Sequence, residues 1–166
     1  MKLWAISIVA TLAVCCVPAW AQWQHREDFD LVEARVEAGG AILAVACEYD
    51  DWDDEIYEEL RVFPPAPGSE EDEEPLKGRA PRLAVHVDGW EWVRDAHPFY
   101  DGVEKRLYFW APMSDELSAR LATASAPIRA LVTLSAPAEA PVDQSFTAEG
   151  SMAAMEDYEV GCATLW

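Results

Sequence analysis

Val32, Ala34, Val36 and Ala38 alternate with Glu33, Arg35 and Glu37, the period-2 pattern of a strand with one face in a core. Gly39-Gly40 follows, a dipeptide that reaches positive φ at both centres of a tight hairpin turn. The returning segment 41–49 is apolar on both faces, which predicts a central strand carrying Cys47 into the core. Ile56, Leu60 and Val62 share one face of a third strand over 56–63. Leu83, Val85 and Val87 do the same in a strand over 82–88, and Asp88-Gly89 signals a hairpin whose second arm is 90–94. Aromatic-rich 105–111, apolar 128–134 and short 145–148 complete the strand pattern.

Two segments carry helical spacing. Ser114 is placed to cap a helix over 114–125, with Asp115 and Glu116 at the positive end of the dipole and Leu117, Leu121 and Ala124 on one stripe. A second helix over 150–160 presents Met152 and either Met155 or Ala154, and brings Cys162 towards the sheet. The remaining segments read as connections. Residues 22–30 are a polar lead-in, 50–55 a solvated turn, 95–102 a loop and 136–144 a proline-bearing loop. Pro64, Pro65, Pro67 and Pro75 surround the run Glu70 to Glu74, so 64–78 is expected to be an extended acidic loop. About eight short antiparallel strands with two short helices predict a mainly β fold, an antiparallel β-sandwich or partial barrel.

Residues 1–21, MKLWAISIVATLAVCCVPAWA, place Lys2 before an apolar stretch and small residues at the positions a signal peptidase reads. This predicts a Sec-type signal peptide cleaved after Ala21, leaving one β-rich domain over 22–166 in the periplasm or secreted. A retained anchor competes with this reading, but the stretch is short for a full span. Lipidation at Cys15 or Cys16 is the other competitor, and the residue before each is not the small one a lipobox carries. No stable membrane insertion is expected after cleavage, because the longest later apolar run is 41–47.

Two cysteines remain, Cys47 and Cys162. An even pair in an exported domain is most simply one disulfide, with two buried free thiols as the competing state. The chain's 166 residues carry a formal charge of −19, made more negative by loss of Lys2. That excess argues against nucleic acid as partner, since phosphates need Lys and Arg to neutralise them.

The order of elements over about 40–163 carries a resemblance. Phe146, Gly150-Ser151, Ala154-Met155 and Cys162 follow an early strand-end cysteine, a strand like 56–62 and the stretch Leu83 to Gly89. Together these resemble small exported proteobacterial β-sandwich proteins of the invasion-associated locus B type, and accessory proteins linked to type VI secretion. The resemblance implies a periplasmic β-sandwich, usually without a known enzymatic activity, and it supplies no catalytic residues.

The search for chemistry is brief. Nucleophile-elbow, P-loop, dinucleotide and zinc-protease patterns are missing, and no Cys/His cluster supplies metal ligands, so no catalytic residue, metal or cofactor is expected. His86 and Asp88 share a strand face, and His97 stands near Asp95, but neither pair has a nucleophile beside it. The acidic runs 50–55 and 70–74 lack the spacing that wraps one calcium ion. Aromatic residues are the stronger signal. Trp90 and Trp92 share a face after the hairpin turn, and with Tyr108 and Trp110 they form a candidate binding surface if exposed and core packing if not. Three functions follow in order: a non-catalytic module that binds an envelope protein, a glycan- or peptidoglycan-binding module using a Trp face, and a hydrolase with an unrecognised carboxylate pair.

Overall fold

A computed structural model describes residues 22–50, 55–135 and 138–165. The expected leader over 1–21, most of the predicted 50–55 turn with Trp52, and Trp166 lie outside the described residues. In chain order the strands are β1 Gln24–Glu27, β2 Leu31–Ala38, β3 Ala41–Asp50, β4 Glu55–Phe63, β5 Arg82–Val87, β6 Trp90–Asp95, β7 His97–Asp101, β8 Arg106–Pro112, β9 Ile128–Ser135 and β10 Ala138–Phe146. The helices are α1 Glu70–Lys77, α2 Asp115–Ala122 and α3 Ser151–Cys162. A six-stranded antiparallel sheet runs β1-β2-β3-β4-β8-β7, and a four-stranded one runs β10-β9-β5-β6. The two face each other as a sandwich, and neither closes into a barrel.

The predicted turns form as their residues require. Gly39 and Gly40 stand at φ 59° and 82°, and Asp88 and Gly89 at 48° and 82°, the left-handed pairs of tight hairpins. Leu43, Val45 and Cys47 of β3 point inward with Leu60 and Val62 of β4. They meet Leu83 and Val85 of β5 and Ala130 and Val132 of β9 in one core. Helices α2 and α3 close one end of this core through Leu117, Leu121, Met155 and Tyr158. The Cys47–Cys162 disulfide then ties α3 to the middle of the larger sheet across 115 residues of sequence. Among the described residues no helix is long and apolar enough to cross a membrane.

Four connections differ from expectation. The acidic loop folds into α1, because Glu70 to Glu73 occupy the first turn, where carboxylates complement the dipole rather than merely repel. The Asp72 carboxylate accepts from the Ser69 amide and hydroxyl, and Lys77 pairs with Glu73 and Glu74 at the other end. The 95–102 loop is mostly β7, an edge strand that tolerates Pro98 because its outward side needs no donor. The Tyr100 amide, on that same outward side, donates to Glu73 of α1 at 3.0 Å, so α1 covers the edge.

The polar lead-in is anchored by Trp23, whose indole nitrogen donates to the Thr147 carbonyl, and continues as β1. The 136–144 loop is largely β10, with Pro141 inside the register shift between Glu139 and Val142. Local composition missed α1 and the anchored lead-in because Tyr100 and Thr147 are distant in sequence, and it missed β7 and β10, which pair with their neighbours along the chain, because Pro98 and Pro141 read as loop.

Candidate functional site

The outer face of the six-stranded sheet has an unusual floor. Ala44 and Ala46 of β3 point away from the inter-sheet core, yet both are fully buried. Their small side chains leave depth that longer neighbours fill. Across the register stand Glu33 and Arg35 on β2, Glu59 and Arg61 on β4, and Trp110 on β8. The Arg61 side chain is 7% exposed and lies over the alanine floor. Its Nε donates to Glu59 at 3.0 Å, its Nη2 donates to Glu48, and its guanidinium covers the Tyr108 ring at 5.2 Å.

A second ionic group fills the β1–β2 side. The Arg35 Nη1 donates to Glu33 at 3.1 Å and to Glu104 at 3.0 Å, while Arg26 donates to Glu104 at 2.7 Å. Glu104 belongs to the turn between β7 and β8, at the opposite edge of the same sheet. That turn is held by Asp101, whose carboxylate accepts from the amides of Val103 and Glu104. The outer face is therefore curved enough for one turn to reach across it.

Burial shapes the electrostatics. It raises the Glu33 carboxyl above the ordinary value against the opposing pull of Arg35, and it raises Glu59 against Arg61. Glu104 is also partly desolvated, but Arg35 and Arg26 overcome this and hold it low. Burial raises the Tyr108 phenol well above its usual range, so it stays protonated at neutral pH.

Two adjoining cavities open on this face, of about 440 and 370 Å³. Asp30, Glu48, Arg61, Phe99 and Tyr108 line both, so they form one trough. Tyr57 and Trp110 line its β4–β8 end, and Arg26, Val103 and Glu104 its β1–β2 end.

The four predicted aromatics divide between two places. Trp92 is 3% exposed in the inter-sheet core, and Trp90 is partly buried against it beneath the Arg120 guanidinium. Neither joins Tyr108 and Trp110, which lie on the outer face of the other sheet. There Tyr108 is packed between Phe63 and Phe99, with ring centroids 5.0 and 5.4 Å away, and His97 lies 4.7 Å from the half-buried Trp110 ring. His86 faces Glu91 at 3.6 Å, whereas Asp88 accepts from Ser125 and Ala126, so no His86–Asp88 dyad forms. Among the described residues no group of three or more His, Cys, Asp or Glu side chains is gathered to hold a metal ion.

Sequence reasoning missed Tyr57, Glu59, Arg61, Phe99 and Glu104. The first three were detectable as the polar alternation of β4 opposite Leu60 and Val62. Two alanines facing that alternation on β3 were the further clue to buried charge. No family model matches the chain, and no curated protein or solved structure matches it.

Proposed function

We propose that this chain is a non-catalytic, exported interaction module that binds a protein partner on the outer face of its six-stranded sheet. One observation carries the reading. Among the described residues the second sheet covers one face of that sheet, and the other face bears a trough of rings and charged groups fixed in place by Arg61, Glu59 and Glu48. Held side chains lose little rotamer freedom on binding, which favours recognition. Export is supported by the leader-like segment 1–21 and by a disulfide, which persists in an oxidising compartment such as the periplasm. The resemblance to exported β-sandwich proteins implies the same compartment.

The glycan reading is weaker, since Trp92 is in the core with Trp90 packed against it, and the half-buried Trp110 ring has His97 tilted against it. The hydrolase reading is weaker still, since the raised Glu33 carboxyl is sealed under Arg35 and Glu104. A photo-crosslinking residue at Phe99, in the trough, is compared in the native envelope with one at Met152, exposed on α3. A discrete adduct from position 99 and none from 152 is expected, on a mature chain beginning at Gln22. The opposite pattern, or a retained leader, defeats the proposal.

A further inference from the structure

We infer that the segment taken by this trough is a basic polypeptide, presenting Lys or Arg between apolar side chains; this rests on the outer face being the binding surface. The apolar part comes from the rims. Phe29, at the β1–β2 turn, is 96% exposed, and Val103, at the β7–β8 turn, is 89% exposed. Phe99, which lines both halves of the trough, and Tyr57, at its β4–β8 end, are also exposed. Large apolar side chains gathered around one trough mark an interaction site.

Charge selects what accompanies them. Asp28, Asp30, Glu48, Asp50 and Glu59 line the trough, against the guanidiniums of Arg26 and Arg61. Both guanidiniums are already held by carboxylates of the same face: Arg26 by Glu104, Arg61 by Glu48 and Glu59. An anionic ligand would have to break those pairs in a trough where carboxylates outnumber guanidiniums, whereas a cationic side chain is drawn by that excess and meets Asp30, which lines both halves of the trough. Exposed rings of Tyr57 and Phe99 add a surface on which an ammonium or guanidinium can rest, as Arg61 already does on Tyr108.

The β7 edge beside the trough is closed to strand addition, which leaves the face. At β7, Pro98 offers no amide and the Tyr100 amide is taken by Glu73, so a partner strand cannot extend the sheet there. Recognition falls to side chains, and the half-buried Trp110 ring, with His97 tilted against it, offers a saccharide a reduced platform.

The test is calorimetric titration of the mature disulfide-bonded chain with a short peptide alternating lysine and leucine. Its glutamate–leucine counterpart and a chito-oligosaccharide serve as rivals. The double variant Phe99→Ala with Asp30→Asn alters the trough and removes one charge. Glu70→Gln with Glu71→Gln removes two charges from exposed α1. The lysine peptide is expected to bind, about tenfold more weakly to the trough variant and unchanged to the α1 variant, both melting as cooperatively as the parent. Equal weakening by both variants means mere net-charge attraction and overturns the inference, as does preference for the acidic peptide or the saccharide. If position 99 crosslinks in the envelope while the lysine peptide fails to bind, the face stands and only the basic partner falls. A lysine peptide that binds while the adduct arises at position 152 instead sinks the reading of the face itself.

Discussion

Glu33 shows what one residue can reveal about a surface. It occupies a polar position of an alternating strand, yet it is 2% exposed because Arg35 and Glu104 fold over it. Burial raises its pKa, so the folded chain holds this proton more tightly than the unfolded chain does. Stability therefore falls as pH rises past the ordinary glutamate value of 4.5, and Glu59 acts in the same sense. Glu104 has the opposite sign: its pKa is lowered, so its contribution is present above 4.5 and is lost on acidification. Glu33→Gln removes the first effect without removing the side chain's volume. The melting temperature of the variant relative to the parent is expected to climb as pH rises above 4.5 and to level once Glu33 is ionised in the folded chain. A difference that stays flat or shrinks over that range contradicts a desolvated Glu33.

At the scale of elements, α3 is set by how closely it can approach β2. A Cβ at Gly161 would lie 2.8 Å from Val32 Cγ1 and 3.2 Å from Cγ2. Helix propensity alone favours Gly161→Ala by about 1 kcal/mol. Val32 is fully buried and stiff at χ1, so it cannot move aside, and overpacking of this kind costs about 1–3 kcal/mol. Packing is expected to win. Denaturant unfolding should show Gly161→Ala less stable than the parent, with Val32→Ala in the same chain relieving part of the loss. A stabilised single variant would mean that α3 is free to slide. The elements differ in how much local sequence discloses. Gly39-Gly40 and Asp88-Gly89 announce their turns because positive φ is a local demand. Helix α1 does not announce itself, since Pro75, the prolines before it and its carboxylates suggest an extended loop until Tyr100 supplies a partner for Glu73.

For the molecule as a whole, the disulfide links the centre of the larger sheet to the last helix across 115 residues. A chain-entropy account assigns such a closure about 4–5 kcal/mol. Replacing both cysteines by alanine is expected to lower the melting temperature by roughly 10–15 °C for a domain of this size. An unchanged melt would show that α3 is held by Met155 and Tyr158 alone. The same architecture explains the site. A four-stranded sheet and two helices cover one side of a six-stranded sheet, and the surplus face is left to long polar side chains.

The count of two cysteines after the leader pointed to their pairing, while alternation, turn residues and a capping residue determined the β class, the hairpins at Gly39-Gly40 and Asp88-Gly89 and the helix after Ser114. Those are demands that neighbours along the chain impose on one another. Folding decided which face each ring would occupy: Trp92 went to the core and Trp110 to the trough although both sit in aromatic strands. It also placed Glu104 beside Arg26 and Arg35, and Arg61 over Ala44 and Ala46. Such meetings depend on the register of strands far apart in sequence, and no local pattern encodes which sheet face will be left uncovered.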